Sequence, residues 1–251
     1  MADAKIRLFV DQPLGAGQPV PLTADQAHYL FGVMRLGRGA LVLLFNGRDG
    51  EWRAGVAEAG KRGGVLVCET QTRPLQMPPD LWLLFAPIKK ARTDFIVEKA
   101  AEMGAARIVP VQTQFTNAER IRQDRLQAHA VEAAEQCGGT FVPQVADLVP
   151  LERLLADWPA ERRLLWCNEH LLGVREALLR AGTGDGAARQ SARGQWAILI
   201  GPEGGFSERE QARLAAMPQV VQASLGPRIL RADTAAVAAL ALWQAVLGDW
   251  G

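Results

Sequence analysis

Short runs of alternating apolar and polar residues dominate the amino-terminal part of the chain. They are rich in β-branched residues and are separated by turn-forming pairs such as Asn46-Gly47, a pattern typical of β-strands. We predict strands over residues 6–10, 40–45, 51–57 and 64–70. Thr23 and Gln26 form a capping box ahead of an apolar stripe, which predicts one helix within this part. The amino-terminal part is therefore predicted to be a small β domain.

Beyond a proline-rich stretch at residues 74–80, the pattern changes to continuous apolar runs that alternate with helical periodicity. The predicted strands are 81–86, 107–111, 163–167, 196–200 and 220–224, and the predicted helices are 93–103, 118–136, 151–158, 171–180, 208–217 and 234–247. This alternation predicts an α/β fold with a parallel sheet covered by helices on both faces. The domains are predicted as 1–73, a linker 74–80, and 81–251, with a surface loop at 181–194.

Composition excludes several classes of protein. With 251 residues, a net charge of +1, 49% apolar and 22% charged residues, the chain has the balance of a globular protein rather than a disordered one. The 3 cysteines include no C-x-x-C pair, so neither a disulfide framework nor a metal site is predicted. No apolar run reaches the ~18 residues of a membrane span, and no secretion signal is recognised. We expect a cytoplasmic protein.

The predicted strand 196–200 ends in a glycine-rich turn, GPEGG, at residues 201–205. Ser207 and Glu210 then form a capping box at the start of a helix. Glycines allow the backbone to approach a ligand, and free N–H groups at a helix start can donate to it. A tight turn without a ligand is the alternative. The turn matches neither a Walker P-loop nor a G-x-G-x-x-G fingerprint, so ATP and NAD are not indicated.

A second loop, with the sequence SLGPRILRADT, follows the predicted strand 220–224 and precedes the last helix. Arg228 and Arg231 lie beside the positive end of that helix, where two cations are unfavourable. The arrangement predicts an anionic partner, and salt bridges to Asp233 are the alternative that needs no ligand. Asp233 or Thr234 is predicted to cap the helix.

These loops, together with three further segments, resemble a known family. The further segments are IKKARTDFIVEKAAEMGAARIVPV, AVEAAEQCGGTFVPQV and HYLFGVMRLGRGALVLLFNG. Over nearly its whole length the chain resembles the RsmE family of 16S ribosomal RNA (uracil-N3)-methyltransferases, of the SPOUT class. Three positions depart from the family pattern. Phe115 and Gly139 stand where many relatives carry basic residues, and Asp233 replaces a commoner Glu.

The resemblance implies a SPOUT-type parallel sheet with a carboxy-terminal deep trefoil knot and an amino-terminal PUA-like β-barrel domain that binds RNA. It also implies a homodimer with active sites at the subunit interface, bound S-adenosyl-L-methionine (SAM), and no metal. The implied activity is SAM-dependent methylation of N3 of a specific uridine in the 16S rRNA of the 30S subunit. Two alternatives stay open: a knotted RNA-binding or ribosome-assembly protein without turnover, and the same chemistry on another RNA.

Site residues are carried over by position from the resemblance. A cation near uracil O2 or O4 favours the N3 anion, so Arg231 and Arg228 are the catalytic candidates, with Asp233 as orienting group or proton acceptor. The implied cofactor-binding residues are Cys167, Asn168, Glu169, Ile200, Gly201, Pro202, Glu203, Gly204, Gly205, Leu225, Gly226, Arg228, Ile229, Leu230 and Thr234. The candidate RNA-binding residues are Arg35, Arg38, Arg48, Arg53, Lys89, Lys90, Arg92, Arg120, Arg122 and Arg125. For each cation singly, a solvated surface position is the alternative.

Overall fold

The computed structural model describes residues 4–118, 120–167, 173–182 and 194–250. These residues form two compact units. One contains the chain up to Met77 together with Ala134–Val142, and the other contains Pro78–Ala133 and the chain from Pro143 onward. Two predicted cofactor-binding residues, Asn168 and Glu169, and most of the predicted loop 181–194 lie outside the described residues.

The first unit is built on a sheet that mixes one parallel pair with antiparallel pairs. Its strands are β1 (Arg7–Phe9), β2 (Pro19–Pro21), β3 (Leu41–Phe45), β4 (Glu51–Gly60) and β5 (Gly63–Arg73). Their order is β1-β3-β4-β5-β2, with β1 and β3 parallel and the other neighbours antiparallel. Four of these strands confirm the prediction. The fifth, β2, has proline at both ends and lies at the sheet edge, where a missing N–H donor is tolerated.

The predicted helix of the first unit begins as expected and then changes type. Helix α1 spans Ala24–Ala27, and both hydrogen bonds of the Thr23–Gln26 capping box are present. The chain continues as a π-helical turn over His28–Val33. Leu30 in this turn is fully buried in the apolar core that the sheet forms, and Phe31 packs against that core. Met34, the third residue of the predicted apolar stripe, is 42% exposed, so only part of the stripe packs on the strands.

A buried carboxylate organises the end of the first sheet. Glu51 is 3% exposed and lies 2.7 Å from Arg7 Nε and 2.6 Å from Arg73 Nη2. Although burial raises the pKa of Glu51, hydrogen bonds from Arg73, Arg7 and Thr72 outweigh it and hold the pKa at about 2. Arg7 also donates to the carbonyl oxygen of Gly139 at 2.6 Å. These contacts hold the stretch Ala134–Val142 to the first unit, a long-range pairing that local sequence patterns do not predict.

The second unit is an α/β structure with a parallel sheet, as predicted. Its strands are β6 (Leu81–Phe85), β7 (Arg107–Gln112), β8 (Gln144–Val145), β9 (Val149–Pro150), β10 (Arg163–Cys167), β11 (Trp196–Ile200) and β12 (Val220–Ala223). The order is β12-β10-β11-β6-β7-β8, with every neighbouring pair parallel, and β9 also pairs with β7. The helices are α2 (Lys90–Glu102), α3 (Gln123–Cys137), α4 (Leu151–Ala156), α5 (Val174–Gly182), α6 (Glu208–Ala215) and α7 (Ala232–Val246).

Helices cover both faces of this sheet, and strand β11 makes this visible. All five of its residues are buried, and successive side chains of a strand point to opposite faces. Ala197 and Leu199 belong to a core cluster that includes Leu214 of α6. Trp196 instead packs edge-to-face on Trp243 of α7, with ring centroids 6.4 Å apart. A strand buried on both faces explains the continuous apolar run from which it was predicted.

The trefoil knot stays a prediction, because strand order does not define how the chain threads through itself. Within the part of the chain that the structure describes, none of the helices has both the length and the apolar character required to span a membrane.

Candidate active site

Three loops meet at one edge of the parallel sheet. Strands β12, β10 and β11 are direct neighbours, and the chain leaves their carboxyl ends at Ala223, Cys167 and Ile200. Ligands of open α/β sheets bind outside the carboxyl ends of the strands. A cavity of about 530 Å³ lies there, lined by residues of these three strand ends and of the loops that follow β11 and β12. Its size falls within the range of about 300–1,000 Å³ typical of small-molecule sites.

The GPEGG turn forms one wall of this cavity. A Cβ at Gly201 would lie 2.7 Å from Cε2 of Phe206, so only glycine lets the Phe206 ring fold back against the turn. Gly205 has a φ of +69° and donates its N–H to the Pro202 carbonyl at 2.9 Å, which closes the turn in the left-handed region that glycine tolerates. The turn is therefore shaped by backbone requirements that the sequence pattern predicted.

Glu210 fixes the turn to a neighbouring loop. The predicted capping box is present, with Glu210 Oε2 accepting from Ser207 N at 2.8 Å. The other oxygen of the carboxylate accepts from the backbone N–H of Gln114 at 2.9 Å. Phe115, the next residue, is 43% exposed and lies against Gly204, where a Cβ would be 3.0 Å from its own Cβ. The departure at Phe115 thus places an exposed aromatic ring next to the GPEGG turn.

The loop after β12 brings two arginines to the cavity. Arg228 and Arg231 are both exposed and both line it. The prediction that Asp233 or Thr234 caps the last helix is wrong. Helix α7 begins at Ala232 with Arg231 as its N-cap, and no side chain caps it. The Asp233 carboxylate instead accepts from the N–H of Thr234 at 2.8 Å, inside the first turn.

Asp233 does not neutralise these two arginines. Its carboxylate lies 3.6 Å from Nε of Arg92, at the start of α2. Among the described residues, neither Arg228 nor Arg231 has a salt-bridge partner within 4.0 Å. The alternative in which Asp233 pairs with both arginines is therefore not what the structure contains, and two cations face a cavity beside a helix start. Such an arrangement favours an anionic or electron-rich ligand.

Strand β10 closes the inner wall. Trp166 is 3% exposed, its Nε1 donor has no hydrogen-bond partner among the described residues, and it packs edge-to-face on Phe206 at 5.9 Å. A buried donor without a partner costs about 1–3 kcal/mol, so a ligand acceptor within hydrogen-bond distance of this N–H would be stabilised. Desolvation raises the pKa of the neighbouring Cys167 thiol to about 12, which keeps that residue neutral.

Most of the predicted cofactor-binding residues come together in this cavity, namely Cys167, Ile200, Gly201, Pro202, Glu203, Gly204, Gly205, Leu225, Gly226, Arg228, Ile229 and Leu230. Thr234 does not line it, nor does the predicted catalytic residue Asp233. The lining also includes residues that the sequence did not single out: Trp166, Phe206, Gln211, Ser224, Ala232 and Ala235. Trp166 lies in an apolar run typical of a buried strand, and Phe206 directly follows the GPEGG turn, so only the fold shows that the two rings meet on the cavity wall.

The predicted RNA-binding residues are spread over both units. In the first unit, Arg48 donates to the Asp11 carbonyl at 2.6 Å, Arg53 pairs with Glu69 at 3.1 Å, and Arg35 has a φ of 55°; Arg38 is exposed, as is Lys89 in the second unit. Lys90, Arg120, Arg122 and Arg125 line a second cavity in the second unit.

Comparison with known proteins identifies the class to which the chain belongs. The family model for the RNA methyltransferase domain matches residues 76–244, and the family model for the RNA methyltransferase PUA domain matches residues 22–67. Two solved structures are similar over almost the whole chain. A Legionella pneumophila methyltransferase with bound SAM is 25% identical with a TM-score of 0.85, covering 99% of this chain and 100% of that one. Ribosomal RNA small subunit methyltransferase E from Neisseria gonorrhoeae, bound to SAM, is 26% identical with a TM-score of 0.82, covering 98% and 99%.

A curated relative narrows the class to a family. Ribosomal RNA small subunit methyltransferase E of Synechocystis is 31% identical over 91% of this chain and 73% of its own length. The chain belongs to the ribosomal RNA small subunit methyltransferase E family of RNA methyltransferases. The family resemblance and the PUA-like character of the first unit are thereby confirmed.

Proposed function

We propose that this protein transfers a methyl group from SAM to N3 of a specific uridine in the 16S rRNA of the small ribosomal subunit. The observation that carries the proposal is the pair of arginines, Arg228 and Arg231, that lines a cavity at three neighbouring strand ends with no carboxylate partner among the described residues. Family membership and the SAM bound in two similar structures support the same reaction.

The cavity fits the cofactor. The GPEGG turn and the loop after β12 offer backbone donors and acceptors, and Trp166 Nε1 is a buried donor that lacks a partner among the described residues. When bound, SAM supplies an electrophilic sulfonium methyl group. The neutral Cys167 thiol adds no competing thiolate nucleophile to the wall, because the pKa of that thiol is raised to about 12.

The two arginines have a chemical task in this reaction. Uracil N3 carries a proton in its neutral form, so N3 becomes nucleophilic when that proton leaves and the anion is stabilised. A guanidinium group near O2 or O4 lowers the pKa of N3–H through its positive charge. We assign this role to Arg231, the N-cap of α7, with Arg228 as the second cation. We further propose that Asp233, whose carboxylate lies 3.6 Å from Nε of Arg92 and outside the cavity lining, acts as an orienting group or proton acceptor.

Substrate binding and assembly complete the proposal. The PUA-like unit, with Arg35, Arg38 and Arg48, contributes to RNA binding, and the protein acts in the cytoplasm on 30S particles. We also propose a homodimer: Ile229, on the cavity lining, is 80% exposed, an apolar surface that a second copy would cover. Sedimentation should give twice the mass of one chain, and a monomer that is fully active would contradict a site completed by a partner.

Arg231→Ala tests the proposed chemistry. With 30S subunits that lack the modification and labelled SAM, we expect the wild-type protein to incorporate label. In the variant kcat should fall about 10²- to 10³-fold, the loss typical when one charge-stabilising donor is removed, while SAM affinity changes less than threefold. Normal turnover by the variant would refute the role of Arg231. SAM binding by the wild-type protein without label transfer to any RNA would favour a binding or assembly protein.

A further inference from the structure

A second cavity lies within the α/β unit and shares no lining residue with the first. Its volume is about 310 Å³, and it is bordered by the start of α2, the loop before α3 and the first turn of α3. Pockets of about 300 Å³ are at the small end of the range that holds ligands. The proposed chemistry above does not use this cavity.

The floor of the second cavity is apolar. Pro87, Ile88 and Leu126 line it and are buried, and half-buried Ile121 adds a further aliphatic surface. The hydroxyl of Thr93 accepts from the N–H of Ile88 at 3.0 Å and lies 3.1 Å from the Ile88 carbonyl. These paired bonds hold the floor in place. Aliphatic side chains of this kind can pack against the face of a base or a ribose.

The rim of the same cavity carries an excess of positive charge. Four cations line it, Lys90, Arg120, Arg122 and Arg125, against one carboxylate, Asp94, among the described lining residues. Arg125 forms an ion pair with Asp94, and Arg122 pairs with Asp124 at 2.6 Å.

Lys90 and Arg120 are the two lining cations that form no salt bridge with any residue in the described part of the chain. Unpaired like charges around one cavity repel each other, and an anion between them removes that repulsion. The cavity therefore complements a nucleotide: the base or ribose can pack on the apolar floor, and the negatively charged phosphate can pair with the cations of the rim.

We propose that this second cavity binds one nucleotide of the substrate RNA, with the phosphate at Lys90 and Arg120 and the base or ribose on Ile88, Ile121 and Leu126. The inference rests on the proposed function, since it takes RNA as the substrate. A nucleotide within a strand fits better than a free mononucleotide, because Lys90 and Arg120 are exposed and Arg122 is 77% exposed. A strand can therefore enter and leave past the cations.

The double variant Lys90→Ala/Arg120→Ala tests the proposal, because both side chains are exposed and their loss leaves the core intact. We expect KM for RNA to rise at least tenfold, with kcat at saturating RNA and the Kd for SAM within about twofold of wild type. The slope of log affinity against log salt should fall by about 0.7, since Lys90 and Arg120 are proposed to share one phosphate and each single-strand phosphate contact contributes about 0.7. Arg153→Ala is the matched control, because Arg153 is exposed in the same unit and lines neither cavity.

Ile121→Glu probes the floor independently by placing a carboxylate against the phosphate site, and it should weaken RNA binding further. Titration with uridine monophosphate alone separates the two sources of a nucleotide. Weak, millimolar binding of uridine monophosphate supports the proposal that the cavity holds a nucleotide within an RNA strand. Micromolar binding that is lost in the double variant, without any change in KM for RNA, would overturn that proposal. An unchanged KM and salt slope in the double variant would also overturn the proposal. If the wild-type protein methylates no RNA, RNA binding by fluorescence anisotropy still decides this inference separately.

Discussion

Replacing Gly201 with alanine should damage the proposed cofactor cavity, because the new methyl group collides with the Phe206 ring. The new Cβ would lie 2.7, 3.0 and 3.3 Å from Cε2, Cζ and Cδ2 of Phe206. Carbon atoms pack best at about 3.5–4.0 Å, so the ring must move by roughly 1 Å. Phe206 lines the cavity and packs on Trp166, so its displacement changes the wall that faces the ligand.

The expected magnitude follows from two effects. Overpacking a tight site costs about 1–3 kcal/mol, and loss of the edge-to-face contact with Trp166 costs up to about 1.5 kcal/mol. Together these effects amount to about 1–4.5 kcal/mol. Since about 1.4 kcal/mol is tenfold in affinity, we expect the Kd for SAM to rise by about 5-fold to at most roughly 1,600-fold, the upper value applying when the whole cost falls on binding. Isothermal titration calorimetry gives the Kd, and thermal unfolding gives the part of the cost that appears as lost stability.

Two further variants make the result specific to Phe206. A Cβ at Gly205 would meet no atom within 4 Å, but this residue has a φ of +69°. Gly205→Ala should therefore cost about 1–2 kcal/mol through backbone strain, and a smaller side chain at Phe206 should not reduce that cost. Phe206→Leu combined with Gly201→Ala should recover much of the lost affinity, because the smaller side chain makes room for the new methyl group. SAM binding by Gly201→Ala at wild-type affinity and stability, or strictly additive effects in the double variant, would refute the steric reasoning.

Three other predictions follow from the charges and thiols. The pKa of Glu51 is about 2 in the folded protein and 4.5 ordinarily, so its contribution, at most about 3 kcal/mol, is complete above pH 4.5 and is lost as the pH falls toward 2. Urea unfolding from pH 6 to pH 2.5 should show this decline, and Glu51→Gln should make it smaller without abolishing it, because the pKa values of Asp49 and Asp124 are also lowered in the folded protein. At pH 8 iodoacetamide should label the exposed Cys137 and leave Cys167, whose pKa is about 12, unmodified, and mass spectrometry measures both. Equal labelling of the two thiols would contradict the desolvation of Cys167. Arg92→Ala should lower kcat and leave the salt slope of RNA binding unchanged, because Arg92 contacts Asp233; a reduced slope would instead make it a phosphate contact.

The α/β fold was largely predictable because its strands are buried on both faces. β10 and β11 occupy the predicted residues 163–167 and 196–200, since a continuous apolar run between turn-forming residues leaves few other interpretations. β2 was missed because its three residues begin and end with proline. The predicted capping of α7 was wrong because Asp is a favoured N-cap residue by local sequence rules, whereas the Asp233 carboxylate lies 3.6 Å from Arg92, which is 141 residues away in the chain. A local pattern does not predict such a distant contact.

The site was only partly predictable. The GPEGG turn and the arginine loop follow strand ends, so their meeting at one sheet edge could be inferred from the sequence. The assignment to a cofactor came from the family resemblance rather than from the residues. Trp166 and Phe206 could not be predicted, because their contact joins the end of one strand to the loop after another. The attachment of Gly139 to Arg7 is likewise a long-range hydrogen bond without a local pattern.

The most direct test of the proposed function is the identity of the product nucleoside. Purified protein is incubated with labelled SAM and, in parallel, with 30S subunits lacking the modification, 50S subunits and tRNA, and each RNA is then digested and analysed. We predict labelled 3-methyluridine from the 30S reaction alone. Label in another RNA would move the same chemistry to a different substrate. No methylated nucleoside from any RNA, despite SAM binding by calorimetry, would contradict the assignment as a methyltransferase.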